Sequence, residues 1–263
     1  MSPANQDNTS VTSSLVNQSF VHKAWAPLSM GVVAALVGVA VLFIPWIAND
    51  FSFTRVSQIL IMMTLLMGLG IVTGTAGMIA LCQMTFAAVS AWTIEWLEVN
   101  VGPGMFGELS FFVYMIGGAV VATVIGIVVG LPALRLRGVN LAVVTLSLAF
   151  AFDLTIVYFG FPANKANMQI TRPFGIGGSS AKPDMFATTV LIIVITAIIA
   201  VALVYMQRSR WGSSWKMVAF SERGTASSGT SVQVAKLTAF AVSAFVGGIG
   251  GGLYELVYLQ ARP

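Results

Sequence analysis

The chain has 263 residues, of which 57% are apolar and only 8% are charged, and its formal net charge is +4. This composition excludes an ordinary soluble domain and is typical of an integral membrane protein. The positive charge therefore bears on membrane topology and anionic lipid and does not indicate nucleic acid binding. One cysteine, Cys82, and one histidine, His22, exclude an internal disulfide, a Cys/His metal site and a His-based catalytic triad. Chemistry of these kinds is therefore not expected in this chain.

The first 25 residues are rich in Ser, Asn, Thr and Gln and precede any apolar run. A cleavable signal peptide begins with a short basic segment, which this stretch lacks. Residues 1–25 are therefore predicted to form a disordered cytoplasmic tail. Residues 26–263 are predicted to form one membrane domain.

Gaps between charged residues mark the membrane spans, because a helix that crosses the hydrocarbon needs about 20 predominantly apolar residues. They predict an all-α polytopic bundle with about seven transmembrane segments. These are 26–47, a segment from 56 to the glycines near 74, 81–96, 111–131, 139–159, 185–207 and 237–259.

The second and third segments share a run of 39 residues, 56–94, that contains no charge. As one helix this run would extend for nearly 60 Å, about twice the hydrocarbon thickness, so it must fold back. Gly74 and Gly77 are the natural break, because glycine weakens a helix. Irregular backbone at membrane depth must be covered by protein or line a water-filled cavity. The break is therefore either a plain turn or part of a broken helix that lines a pathway.

The loop after the third segment is expected to be acidic and external, since it contains Glu95, Glu98 and Glu108. Threading the spans alternately places eight Lys/Arg residues on the side of the N-terminus and five on the other side. The positive-inside tendency then predicts a cytoplasmic N-terminus.

Small residues recur at helical spacing in two segments and predict close helix packing. They are Ala122, Gly126 and Gly130 in the fourth segment, and Ala244, Gly248 and Gly252 in the seventh. Two acids, Asp153 and Glu255, lie within apolar segments. Asp153 is a candidate for attracting a cationic group of a substrate, and the alternative is a carboxylate satisfied by its neighbours or by the interface.

The segment from Arg208 to Lys236 is a long polar interruption that contains five Lys/Arg residues and a single acid, Glu222. By the positive-inside tendency it is a cytoplasmic loop. Its apolar residues alternate with polar ones and predict a short amphipathic helix. These residues are Trp211, Trp215, Met217, Val218 and Phe220. Periodicity alone does not distinguish a helix that docks a partner protein from one that lies on the lipid surface.

Three stretches together resemble the permease subunits of the branched-chain amino acid ABC transporter family. The first, 68–92, matches at Gly74, Gly77, Leu81, Gln83, Phe86 and Ala91; the second is GLPALRLRGVNLAVVTL, 130–146. The third is the polar segment with Arg208-Ser-Arg-Trp-Gly212, Gly229 and Lys236-Leu237, followed by SAFVGGIGGGLY. The family carries further spans after this point, so the resemblance implies a fragment or a degenerate copy.

The resemblance implies a subunit of an importer for branched-chain amino acids, or for a related small polar solute, in the bacterial inner membrane. Its partners would be ATPase subunits that bind the ATP, a second permease that is the same chain or a sister, an external substrate-binding protein and membrane lipid. The implied ATPase-coupling residues are Trp211, Gly212, Trp215, Lys216, Val218, Glu222 and Gly229. Those implied near the translocation path are Gly74, Gly77, Phe86, Thr145 and Asp153. The alternatives are an ATP-independent secondary transporter or channel, and a permease remnant that does not transport.

Overall fold

A computed structural model describes residues 50–78, 80–101, 109–133, 139–159, 185–227, 229 and 231–258, and all its regular elements are helical. The predicted tail and the first predicted span lie outside these residues. A π-helical turn, Ile71–Thr75, follows the first described helix. The α-helices in the described ranges are α1 Asp50–Gly70, α2 Gln83–Val101, α3 Ser110–Ala133, α4 Val139–Phe159, α5 Met185–Arg208, α6 Arg210–Phe220, α7 Glu222–Ser227 and α8 Val232–Tyr258.

Four described helical segments are long and apolar enough to cross a membrane, which confirms a helical membrane protein. They are Phe53–Thr75, Ser110–Leu131, Phe186–Arg208 and Val232–Val257. α4 is helical where a span was predicted, but its strongly apolar part is the shorter Asn140–Phe152. The total of about seven spans stays a prediction.

The end of α2 differs from the sequence prediction. The helix continues to Val101, so Glu95 and Glu98 lie inside it, and both side chains are buried. The prediction that these two acids belong to an exposed loop was therefore wrong; Glu108 lies outside the described residues. The physical reason is close packing by α3, where a Cβ on Gly118 would lie 2.9 Å from the Ser90 carbonyl oxygen of α2.

The last helix, α8, lies at the centre of the bundle, and its glycines allow three neighbours to approach. Three consecutive glycines of α8 each face a different helix, as the contacts of a Cβ added at each position show. The contacts would be Leu65 of α1 for Gly250, the backbone of Ala87 in α2 for Gly251, and Met115 of α3 for Gly252. Van der Waals contact at small residues is what holds helices together where lipid removes the hydrophobic drive. The glycine cluster therefore has a packing role.

The two predicted stripes of small residues face each other between α3 and α8. A Cβ on Gly126 would lie 2.6 Å from the Ala244 Cβ, and one on Gly248 would lie 2.6 Å from the Ala119 Cα. Ala122 and Ala244 are fully buried. The prediction that these stripes pack helices closely is confirmed.

Hydroxyl groups connect α1 to α5. Ser57 and Thr189 share a hydrogen bond of 2.9 Å between their Oγ and Oγ1 atoms, and Thr64 and Thr196 share one of 3.1 Å. The two pairs are separated by seven residues on each helix, so they lie two turns apart on the same face. In an apolar bundle each such bond contributes about 0.6 kcal/mol.

The ends of the bundle can be assigned from contacts between helix termini. At one end, which we call the α6 end, α5 leads into α6, and Gly130 near the end of α3 faces Leu237 near the start of α8. At the opposite end the first turns of α1 and α5 meet, with the rings of Phe53 and Phe186 in a T-shaped contact at 5.8 Å. The turn that joins α1 to α2 also lies at the α6 end.

Candidate coupling and translocation site

One residue, Ser209, separates the end of α5 at Arg208 from the start of α6 at Arg210, so the chain turns within a very tight corner. Gly212 lies inside this corner and is buried. A Cβ at this position would clash with the backbone of Gln207 in α5. Gly212 therefore has a structural role, because any side chain would force α6 away from the bundle.

α6 is apolar on two different faces. One face, with Gly212, Trp215 and Val218 spaced by three residues, is buried in the chain's own core. The opposite face contains Met217, 42% exposed, and Phe220, 95% exposed, together with the exposed Lys216. We call Lys216, Met217 and Phe220 the open face of α6. Trp211 in the first turn is also half-exposed.

Trp215 anchors α6 to the bundle. Its side chain is 1% exposed and belongs to the same buried cluster as Ile71, Val72 and Met78. Its indole Nε1–H donates a hydrogen bond of 3.1 Å to Thr238 Oγ1 in α8. An indole buried in an apolar core usually has such a hydrogen-bond acceptor for its N–H. Trp215 is one of the residues that the family resemblance implies in ATPase coupling, and the structure places its side chain inside this subunit.

The connection between α1 and α2 confirms the predicted break. α1 changes to π-helical geometry at Ile71–Thr75, and the described residues 76–78 and 80–82 have no regular structure before α2 begins at Gln83. Gly77 has a positive φ of 66°, which glycine adopts without the steric cost borne by other residues. We call residues 71–82 the break, of which Ile79 lies outside the described residues.

The break touches α6 directly at Gly77. A Cβ added to this glycine would lie 3.1 Å from the Ala219 Cβ and 3.2 Å from the Ala219 Cα. The backbone of the break and the backbone of α6 are therefore nearly in contact. By contrast, a Cβ added at Gly74 would meet no atom of the described residues within 4 Å, so this part of the structure covers the break on one side and leaves it open on the other.

Two polar contacts hold the end of the break that leads into α2. The Leu81 backbone N–H donates to Thr145 Oγ1 of α4 at 3.2 Å. Gln83 pairs with Ser243 of α8, since its Nε2 donates to the Ser243 carbonyl oxygen at 3.2 Å and the Ser243 hydroxyl donates to Gln83 Oε1 at 2.8 Å. The Gln83–Ser243 pair was not predicted from the sequence, although an amide within a long uncharged apolar run is itself a signal, because a buried polar group needs a partner.

The residues implied near a pathway divide into two groups. Gly74 and Gly77 are exposed, while Phe86 and Thr145 are buried between helices. Phe86 packs edge-on against Phe240 of α8, with the ring centroids 5.9 Å apart. Asp153 lies in α4, but its side chain is outside the described part of the structure.

The remaining implied coupling residues lie around and after α6. Glu222 is the first residue of α7, and its side chain is outside the described part. Gly229 has a φ of 80° and forms the exposed turn before α8. Lys236, counted among the loop cations, lies instead within α8 and is buried. Among the described residues, no three His, Cys, Asp or Glu side chains lie close enough together to hold a metal ion.

Comparison with known proteins identifies the family of the fold just described. The family model described as branched-chain amino acid transport system / permease component matches residues 51–263. The chain belongs to this family. The matched range includes the break, α6 and the central helix α8, so the family match covers every element of the candidate site.

Curated relatives of this permease chain are known in two enteric bacteria. It is 27% identical over 243 residues to the high-affinity branched-chain amino acid transport system permease protein LivM of Salmonella typhimurium, an alignment that covers 84% of this chain and 56% of the relative. It is 28% identical over 244 residues to LivM of Escherichia coli, with 83% and 56% covered. The chain thus spans little more than half the length of these relatives. No solved structure matches it.

Proposed function

We propose that this chain is a permease subunit of an ATP-driven importer for branched-chain amino acids or a related small polar solute. The curated relatives are named for branched-chain amino acid transport, and the family match covers the whole candidate site. ATP would be bound by separate ATPase subunits, and an external binding protein and a second permease would complete the assembly. The proposed location is the bacterial inner membrane, with the α6 end in the cytoplasm.

The open face of α6 is the observation that carries this proposal. An apolar side chain as exposed as Phe220 leaves a large surface in water unless another molecule covers it. The buried face of the same helix packs into the bundle through Trp215 and Val218, so the open face points away from the subunit's own core. A helix that contacts the bundle on one side and a partner on the other is suited to transmit motion between them.

Coupling therefore depends on two sets of residues with different roles. Met217, Phe220 and the half-exposed Trp211 would contact the ATPase, and Lys216 would place a cation beside it. Gly212, Trp215 and Val218 would hold α6 against the membrane helices. Closure of the ATPase would displace α6 and shift the bundle between outward-open and inward-open states, each stabilised by different contacts.

The open side of the break is the proposed wall of the translocation path. The break lies at the α6 end of the bundle, so this wall would stand at the cytoplasmic mouth of the path. The side of the break that carries Gly74 is not covered by the described residues, since no atom lies within 4 Å of a Cβ built there. Phe86 and Thr145 would support this wall from behind, because both are buried.

The test is co-purification of the detergent-solubilised permease with its ATPase subunits. Phe220→Glu places a charge on the open face without touching the core, and Phe220→Leu is the matched control that keeps the position apolar. We expect Phe220→Leu to bind the ATPase as the wild type does, and Phe220→Glu to lose binding while its elution from a size-exclusion column stays unchanged. Equal binding by both variants would contradict docking through this face and favour a helix that lies on the lipid surface. Absence of binding by the wild type would contradict the importer itself.

A further inference from the structure

The break lies against α6 with almost no space between the two backbones. A Cβ at Gly77 would stand 3.1 Å from the Ala219 Cβ, and the buried face of α6 belongs to the same apolar cluster as Ile71 and Val72. Displacing α6 toward the bundle therefore requires the break to move with it. Closely packed backbones transmit a displacement and do not absorb it.

The residues that the structure describes leave the other side of the break uncovered. Its open side begins at Gly74, and Leu81 near its end is 49% exposed. The Leu81 N–H holds the break against α4 by donating a hydrogen bond to Thr145. At the start of α2 the two hydrogen bonds between Gln83 and Ser243 fix the chain to the central helix. Among the described residues the break is thus contacted by α6 on one side, uncovered on another and held by hydrogen bonds at its end.

We infer that α6 drives the break directly through the contact between Ala219 and Gly77, and that the break pivots at the Gln83–Ser243 pair. Gly77 and Ala219 are positioning residues in this scheme, since neither needs to touch the transported solute. Movement of the break changes the exposure of Leu81 and breaks and re-forms the hydrogen bond from the Leu81 N–H to Thr145. The inference rests on the proposed coupling of α6 to an ATPase.

A single-cysteine reporter tests the movement. Cys82→Ala removes the one native thiol, and Leu81→Cys then reports on the break. Leu131→Cys is the matched control, because Leu131 is the same residue type, is 55% exposed and lies near the end of α3 at the α6 end. Labelling rates with a small thiol reagent are measured on the complex with its ATPase subunits, without nucleotide and after trapping with ATP and vanadate.

We expect the labelling rate at position 81 to change by about tenfold between the two states, the change that a population shift of about 1.4 kcal/mol produces. The rate at position 131 should stay constant. Equal rates at position 81 in a complex that takes up solute would overturn the inference while leaving the importer proposal intact. A wild-type chain that binds no ATPase would contradict both the inference and the importer proposal.

Two glycine substitutions identify the route of transmission. Gly77→Ala adds a methyl group that crowds Ala219 at a position with φ of 66°, whereas Gly74→Ala adds the same group in open space. We expect the state-dependent labelling of position 81 to be lost in Gly77→Ala and kept in Gly74→Ala, with ATPase binding retained in both. If Gly77→Ala does not fold, Ala219→Gly removes the contacting methyl group without strain at Gly77. Full state dependence in Gly77→Ala or, in its place, Ala219→Gly would show that this contact is not the route.

Discussion

Trp211 and Trp215 lie one turn apart in α6 and offer a controlled comparison of an exposed and a buried indole. Trp215 is 1% exposed and donates a hydrogen bond to Thr238, whereas Trp211 is 51% exposed. Trp215→Ala is therefore expected to destabilise the subunit strongly. Trp211→Ala, the same chemical change on the same helix, is expected to leave its stability close to that of the wild type.

The magnitude follows from the area that Trp215 buries. A buried aromatic side chain removes roughly 150–250 Å² from water, which corresponds to about 4–6 kcal/mol at 25 cal/mol per Å². Measured truncations of buried Trp or Phe to Ala cost about 3–5 kcal/mol, because the cavity partly relaxes. We therefore expect a loss of about 4 kcal/mol, which lowers the midpoint of thermal unfolding by roughly 8–16 °C for a domain of this size.

The assay is thermal unfolding of each purified variant in the same detergent at the same scan rate, since membrane proteins often unfold irreversibly. Trp215→Phe keeps an apolar ring and removes the indole N–H, so it should lose only about 1 kcal/mol. Equal unfolding midpoints for Trp215→Ala and Trp211→Ala would refute the assignment of the buried face. A large loss in Trp211→Ala would contradict the exposure of the Trp211 side chain.

Gly248→Ala is expected to reduce the yield of folded protein on size-exclusion chromatography, because its methyl group would lie 2.6 Å from a backbone atom of α3; Gly74→Ala, which meets open space, should give the wild-type yield. Gln83→Leu removes both hydrogen bonds to Ser243 and should cost about 1–3 kcal/mol. Ser243→Ala should cost less in that background than in the wild type, and strictly additive losses would contradict a direct pair. Cys82 is 1% exposed, so a thiol reagent should label it only after denaturation, and rapid labelling of the folded protein would contradict its burial.

The break and the paired stripes of small residues could be predicted from the sequence because each is a property of one segment. A charge-free run of 39 residues is too long for one crossing, so it must fold back wherever glycine weakens the helix. Likewise Gly126 and Gly248 lie in stripes at helical spacing, and such stripes bring helices together whatever the neighbour is. In both cases local geometry leaves few alternatives.

The partner of Gln83 and the burial of Glu95 could not be predicted in this way. An amide or a carboxylate in a helix shows that a polar partner is needed, but not which helix supplies it. Ser243 lies 160 positions further along the chain, and only the packing of α8 against α2 brings the two side chains together. Glu95 is buried because α3 and α8 enclose the end of α2, which no pattern within α2 records.

The sequence by itself determined that this protein is a helical membrane protein, where its chain folds back and which residues let its helices approach closely, since composition, segment length and glycine spacing act within single segments. Only the tertiary structure decided which side of α6 is buried. The apolar residues of α6 surround the helix, so its own pattern cannot distinguish Trp215 from Phe220. Trp215 is buried because its indole packs against residues of α8 and the break, and Thr238 of α8 accepts the hydrogen bond from its N–H. The face of α6 left uncovered is the one available to a partner.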